Sequence, residues 1–257
     1  MESESESIPP PAILWLRQAC ENPINPETID PAGDIPAPLK SPVPGVVSIM
    51  LRFPLMIVCG VLMACAQSSA AEKSLFDGKT WTGWEGDTAT TWRIENGEIR
   101  GGSLTTKVPR NEFLTTSQRY GNFDLKFKVR LEGTEGFVNG GVQFHSERIP
   151  NHHEMIGYQA DIGHGYDGAL YDESRRNKIL QQPSAELLAK ILKPGDWNEY
   201  RVRAENGHIQ IWLNGTKTVD YTEEDKSIPQ KGLIGLQIHG NCKAVISFKD
   251  IVIEELP

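Results

Sequence analysis

From Leu75 to the C-terminus, apolar residues return at every second position rather than every third or fourth, and turn-forming residues interrupt them at short intervals. That spacing predicts strands with one buried face. The clearest case is 123–131, where Phe123, Leu125, Phe127, Val129 and Leu131 alternate with Asp124, Lys126, Lys128 and Arg130. Tight hairpins are predicted at Glu95-Asn96-Gly97-Glu98, Glu205-Asn206-Gly207-His208 and Asn214-Gly215, because a type I′ turn needs two residues that tolerate positive φ. The last strands are expected at 235–239 and 245–253. Only 184–190 reads as helix, with Ser184 as a candidate cap behind Pro183. Many short strands and one short helix imply an all-β sandwich of antiparallel sheets, a single domain over 72–257.

Alternation also says which polar side chains line up. Gln143 and His145 are expected opposite Val142 and Phe144, Gln159 and Asp161 opposite Tyr158 and Ala160, and Gln237 and His239 opposite Leu236 and Ile238. Outer faces of antiparallel sheets are ordinarily solvated and rich in Lys, Glu and Thr. Three Gln, two His and one Asp suit fixed hydrogen bonds to hydroxyls instead, so these strands are expected to form a ligand-binding face. The polar stretches 146–155 and 163–177 follow two of them, and long loops at a sandwich rim are where sites are built.

Composition changes the picture mainly at the N-terminus. Of 17 prolines, 10 fall in residues 1–49, beside an acidic Ser-Glu repeat, and this arm is not expected to fold alone. Arg52 then precedes an uncharged apolar run, 53–66, ending in Gln67-Ser68-Ser69-Ala70-Ala71. The run is too short for a membrane span, which needs about 20 residues, and predicts a signal peptide over 50–71, with Met50 as the true start and cleavage before Glu72. Leu62-Met63-Ala64-Cys65 offers a second export reading, a lipoprotein anchor at Cys65, and a buried core helix is the third. The chain is therefore expected to be exported, to the periplasm or beyond.

The full chain carries 26 Lys and Arg against 34 Asp and Glu, net −8, which argues against coating nucleic acid. Removing the 3 basic and 7 acidic residues before Glu72 leaves 23 against 27, still mildly acidic. Of Cys20, Cys59, Cys65 and Cys242, cleavage would leave Cys242 alone, so the domain would rest on its core without an internal disulfide.

The sequence has no nucleophile elbow, Walker loop, dinucleotide fingerprint or EF-hand loop, and Cys242 has no surroundings that activate a thiol. Acid–base chemistry by carboxylate and histidine remains. His145, His153, Glu154 and Asp161 are the candidates to converge on a divalent metal ion, although His153-Glu154 lacks the second histidine of a zinc helix.

Further motifs follow in order: Leu75-Phe76-Asp77-Gly78-Lys79 with Gly83-Trp84, then Gly168-Ala169-Leu170-Tyr171-Asp172, Gly195-Asp196-Trp197-Asn198, Leu213-Asn214-Gly215, Gly232 to Gly240, and Phe248 to Leu256. In this ordered set the chain resembles the bacterial 3-keto-disaccharide hydrolase domain family across nearly all of 74–256. It departs at Phe144-His145-Ser146, where Phe-Arg-Ser is frequent, and at Tyr158-Gln159-Ala160-Asp161, where Tyr-Glu-x-Gln is usual. The resemblance implies a concanavalin-A-like jelly roll. It also implies cleavage of a glycosidic bond in a sugar oxidised to a ketone at C3, where the ketone acidifies the C2 proton and the C1 substituent leaves by elimination before water adds.

Such chemistry needs a base, a proton donor and a group at the enolate oxygen. The expected assignment is Asp161 as base, Glu154 or His145 as donor, and Arg175 or a bound cation at the enolate. Gln143, Gln159, Tyr171, Gln237 and His239 would hold sugar hydroxyls. The competing expectation is a non-catalytic carbohydrate-binding module, since one fold serves both. Trp81, Trp84, Trp92, Trp197 and Trp212 could supply its stacking platform, with Trp197 and Trp212 expected in the core.

Overall fold

A computed structural model describes residues 71–257. The proline-rich arm, the export segment up to Ala70 and the anchor at Cys65 lie outside the described residues. The strands are β1 (Lys73–Ser74), β2 (Trp84–Glu85), β3 (Trp92–Glu95), β4 (Glu98–Val108), β5 (Glu112–Thr116), β6 (Phe123–Gly136), β7 (Gly140–Arg148) and β8 (Met155–Ile162). They continue with β9 (Leu170–Glu173), β10 (Lys178–Gln181), then helix α1 (Ala185–Ile191), β11 (Asn198–Glu205), β12 (His208–Leu213), β13 (Thr216–Thr222), β14 (Leu233–Ile238) and β15 (Cys242–Glu255).

Two antiparallel sheets face each other. One runs β13-β12-β11-β6-β15-β4-β3 with β1 beside β15, and the other β10-β9-β8-β7-β14-β5-β2. The jelly-roll sandwich expected from the alternation is thus the fold observed. Phe123, Leu125, Phe127 and Val129 are buried between the sheets as their spacing requires, and the Phe127 ring stacks on Tyr200 at 5.4 Å. Each such side chain contributes about 1.5–3 kcal/mol when fully buried. The three predicted hairpins form, with Asn96, Asn206 and Asn214 at φ 54°, 52° and 49° and glycine next in each turn. Ser184 caps α1, its hydroxyl accepting from Leu187 N at 3.2 Å. No helix among the described residues is long and apolar enough to cross a membrane.

Trp197 and Trp212 are not core residues. Trp197 lies between Arg130 and Lys249, at 4.9 and 4.0 Å from its ring, and Trp212 carries Arg201 at 4.4 Å. Strand parity explains it, because Trp212 alternates with the buried Ile211 and Leu213 and so shares the outer face with Arg201.

The feature that shapes the site is a bend in the β7–β8 hairpin. Up to Phe144 the strands pair in step, opposite Tyr158, and pairing resumes with Glu147 opposite Ile156, so His145 and Ser146 together face Gly157. This is a β-bulge, with His145 at φ 47°. A Cβ on Gly157 would stand 2.0 Å from Ser146 Oγ, so only glycine allows the close crossing.

Beyond the bulge the hairpin, residues 147–155, folds back across the outer face of the β7-β14-β5 strands. Arg148 donates to Glu85 O, Phe113 O and Thr115 Oγ1 at 3.0, 3.3 and 3.2 Å, reaching strands two and three places from its own. The Met155 sulphur stands 3.0 Å from where Gly235 in β14 would carry a Cβ. We call this segment the arm.

Candidate functional site

Register places the site residues on one face. Asp161 in β8 lies opposite Gly141 in β7, which lies opposite Gln237 in β14, which lies opposite Phe113 in β5. The next row is Tyr171, Gln159, Gln143, Gly235 and Thr115. Core residues Val142, Phe144, Tyr158, Ala160, Leu236 and Ile238 occupy the other side of the same strands. Strand parity therefore holds for Gln143, Gln159, Asp161 and Gln237.

At the Asp161 end is a cavity of about 180 Å³ lined by Asn111, Phe137, Asn139, Gln159, Asp161, Tyr166, Tyr171, Glu173 and His239. It is below the roughly 300–1,000 Å³ of pockets that enclose drug-sized ligands, and so suits one ring rather than a chain of them. Larger clefts elsewhere are lined largely by exposed strand faces and loops, and none holds two acids of raised pKa.

Asp161 is buried, and burial pushes its carboxyl up to about 7, against the opposing effects of the Asn139 amide, Gln159 and the Ile162 N–H. Asn139 Nδ2 donates to Asp161 Oδ1 at 2.9 Å and to Gly163 O at 3.2 Å, and Ile162 N donates to the same carboxylate oxygen at 3.2 Å. Glu173 is likewise pushed up to about 7, by burial first and by the nearby Glu154 charge second. Burial and the charge of Glu173 raise the Tyr171 phenol to about 12, so it stays a hydrogen-bond donor at neutral pH. Two acids that titrate near neutrality in one cleft are what proton transfer at that pH requires.

The aromatic wall is built around Phe137, whose ring lies 4.7 Å from His239, 4.5 Å from His164 and 6.0 Å from Tyr166. His239 Nδ1 donates to Gly240 O at 2.8 Å. Trp84 and Trp92 are buried, and none of the five tryptophans considered above lines this cavity.

Glu154 reaches the rim because the arm folds back. Its Oε1 accepts from Asn111 Nδ2 at 2.9 Å, and Asn111 Oδ1 accepts from Gly240 N at 2.8 Å. His153 sits beside it, Nε2 3.3 Å from Glu154 Oε1, stacked on His152.

Two expected residues are elsewhere. The bulge turns His145 toward the core, where Nε2 donates to Gly121 O at 2.8 Å and the ring meets Phe123 at 5.5 Å and Phe144 at 5.7 Å. Burial lowers its pKa, so it is neutral there. Arg175 lies over the Tyr158 ring at 4.6 Å and pairs with Asp172 at 2.7 Å, on the core side of β9. Neither can serve the Asp161 cavity as donor or enolate partner.

The proposed metal set is dispersed in the same way. His145 is in the core, and among the described residues no group of three or more His, Cys, Asp or Glu side chains is arranged to hold a metal ion.

Glu173 was missed, although the alternation that selects Tyr171 puts Glu173 on the same face two residues later. Asn111, Phe137, Asn139 and Tyr166 come from segments at strand ends, where no period applies.

Gln143 and Gln237 are wholly buried, and both amide atoms of each make no hydrogen bond with the protein, as is true of Gln159 Oε1. A buried polar group left this way costs about 1–3 kcal/mol. Gly141 makes room for Gln159, since a Cβ there would stand 2.6 Å from its Cδ. Gly141→Ala is expected to displace Gln159 and cost about 1–3 kcal/mol by overpacking. A urea midpoint equal to wild type would show that Gln159 has another place to go.

The family model described as the 3-keto-alpha-glucoside-1,2-lyase-like domain matches residues 71–254. No curated protein sequence matches the chain. Among solved structures, a protein from Parabacteroides distasonis provisionally named a glycosyl hydrolase is 21% identical, with TM-score 0.54, covering 73% of this chain and 95% of its own. A second from the same organism is 22% identical, with TM-score 0.50, covering 72% and 100%. A carbohydrate binding module from Bacillus subtilis is 16% identical, with TM-score 0.53, covering 67% and 96%. These likenesses show the fold. The family match spans almost the whole sandwich, and the function it supports is carbohydrate-related: the chain belongs to the 3-keto-alpha-glucoside-1,2-lyase-like domain family.

Proposed function

We propose that the protein is an exported enzyme that cleaves 3-keto-glycosides or 3-keto-disaccharides by elimination and water addition. The observation that carries the reading is the pair Asp161 and Glu173, both raised to about 7 in one ring-sized cavity. Ionised Asp161 takes the C2 proton made acidic by the 3-ketone. The C1–O bond breaks as Glu173 gives its proton to the leaving oxygen, and a C1–C2 double bond forms. Water then adds its oxygen to C1, and the proton held by Asp161 returns to C2 while Glu173 recovers one from the water. The phenols of Tyr166 and Tyr171 are the donors for the enolate oxygen. Glu154, held by Asn111, acts on Glu173 through its charge rather than as donor.

The pH dependence follows. Asp161 must be ionised, so the rate rises with pH through about 7, and Glu173 must be protonated, so it falls again through about 7. kcat/KM is expected to be bell-shaped with a maximum near neutrality, the two limbs belonging to the coupled pair. Glu173→Gln should erase the alkaline limb for a leaving group that needs protonation. A profile flat from pH 5 to 9 would contradict both assignments.

The deciding experiment incubates the full chain with 3-keto-trehalose, 3-keto-lactose and their unoxidised parents, with and without chelator, and follows free sugar by chromatography. Release confined to the keto substrates is the expected result. Binding of unmodified sugar with no release from any substrate would instead identify a carbohydrate-binding module.

A further inference from the structure

We propose that the Asp161–Glu173 cavity is built for a ring that carries an ammonium group, so that the preferred substrate is the 3-keto form of a 2-amino-2-deoxy glycoside. This rests on the reading above and narrows it: neutral 3-keto-glycosides are turned over, but more slowly.

The cavity is lined by acids and aromatic rings, and no Lys or Arg lines it. Asp161 and Glu173 stand on its wall, on the paired strands β8 and β9, and Asn111 holds Glu154 at its rim. These carboxyls feel one another: besides burial, the charge of Glu154 raises Glu173 and that of Glu173 raises Asp161. Other buried acids of the sandwich have an arginine, Asp172 and Glu223 sharing Arg176 and Asp124 pairing with Arg201. Asp161 and Glu173 have no such cation among the described residues, and a ligand can supply it.

Hydrogen bonding points the same way. Asn139 Nδ2 donates to Asp161 and Gly163, and Asn111 Nδ2 donates to Glu154. Gln159, 2% exposed, lines the cavity, and its Oε1 accepts no hydrogen bond. Glu154 Oε2 accepts none either. Acceptors therefore outnumber free donors around this space. An ammonium brings three donors and no acceptor, whereas a hydroxyl brings one donor. Phe137, Tyr166 and Tyr171 line the same space, and an aromatic face attracts an ammonium within about 6 Å of its centre.

The charge also fits the reaction. With a neutral ring the negative charge only moves, from Asp161 to the C3 oxygen of the enolate as Asp161 takes the C2 proton. An ammonium on C2 lies two bonds from that proton and offsets the charge before and after the transfer. Its nitrogen forms and breaks no bond. The C1–O bond breaks as Glu173 protonates the leaving oxygen, and water adds as above.

The test measures kcat/KM at pH 7 for the 4-nitrophenyl 3-keto-glycosides of glucosamine, N-acetylglucosamine and glucose, using the full chain and its Glu154→Gln and Phe137→Leu variants. Wild type is expected to favour the amino compound over both neutral ones by about tenfold, the equivalent of one charge-assisted hydrogen bond. The ammonium also changes the intrinsic acidity at C2, equally for every variant, so the share owed to the protein is the fall in preference, about threefold in each variant. Glutamine keeps the oxygen that Asn111 bonds, and losses common to the three substrates cancel in the ratio. No preference, or one that both variants leave unchanged, would overturn the proposal while the enzymatic reading stands.

If wild type releases nitrophenol from none of the three, the enzymatic reading fails and titration calorimetry decides the cavity by itself. Methyl glucosaminide should then bind about tenfold more tightly than methyl glucoside and methyl N-acetylglucosaminide. Equal affinities, or no binding of any of them, would reject it.

Discussion

Asp161→Asn is expected to lower kcat/KM on a 3-keto-glycoside by about 10²–10⁴-fold, the usual contribution of a general base, while making the folded protein more stable at pH 8. The second half follows from the same burial as the first. The Asp161 carboxyl rises from its ordinary 3.8 to about 7 because burial penalises the ionised form. At about 1.4 kcal/mol per pKa unit, keeping it ionised in the fold costs on the order of 4 kcal/mol.

The sign can be followed along the pH axis. Below about pH 4 folded and unfolded chains are both protonated and no cost exists. Between about 4 and 7 the unfolded chain ionises first, so stability falls as pH rises, and above 7 the full cost persists. Asparagine keeps an oxygen for Asn139 Nδ2 and Ile162 N and carries no charge. Urea midpoints of variant and wild type should therefore coincide near pH 4 and separate toward pH 8, with the variant higher. An inactive variant that is also less stable at pH 8 would mean that the carboxylate supports the fold and that its loss of activity says nothing about base catalysis.

Arg176→Met is expected to give the largest loss of stability. Arg176 pairs with Asp172, which is fully buried, and its Nη2 donates to Glu223 at 2.6 Å. Tyr158 Oη donates to the same Glu223 oxygen at 2.7 Å. Burial works to raise the Glu223 carboxyl, but Arg176 and Tyr158 hold it at about 2.

Removing the cation leaves two buried carboxylates short of a partner, a loss that typically costs about 3–5 kcal/mol. A quarter of the Arg176 side chain is exposed, so we expect about 3. The stabilisation drawn from Glu223 is present above its unfolded pKa, near 4.5, and disappears as pH falls toward 2. The deficit of the variant should accordingly be largest at pH 7 and clearly smaller at pH 3. A deficit of equal size at both would assign it to lost packing rather than to charge.

The period-2 pattern carried most of what a sheet can encode. It placed Gln143, Gln159, Asp161 and Gln237 on one face, and it would have placed Glu173 had the pattern been followed from Tyr171 along β9. It failed at His145, because a bulge inserts one residue and reverses the parity after it, and nothing in Phe144-His145-Ser146 announces the positive φ. Arg175 was beyond its reach for another reason: the turn after β9 sets its direction, and Asp172 on the core side draws it away from the cavity. Asn111 and Asn139 are brought in by strand ends, and Glu154 by the folding back of the arm. Such contacts are made across the fold and leave no local period. The metal set failed with His145, since two of its members were grouped on a parity that the bulge breaks.

The separation of acids from arm also bears on how substrate range can change over time. Asp161 and Glu173 stand on paired strands whose other face is core, where almost any insertion would be costly. Residues 149–153 form a short span between two tether points, Arg148 and Glu154, and carry none of the proposed chemistry. Lengthening such a loop is entropically cheap, about 0.6 kcal/mol for a doubling. Mutation can thus change the length of this span in single steps while Asp161 and Glu173 keep their places on β8 and β9. Homologues that exchange one glycoside for another would then be separated by a handful of hairpin changes.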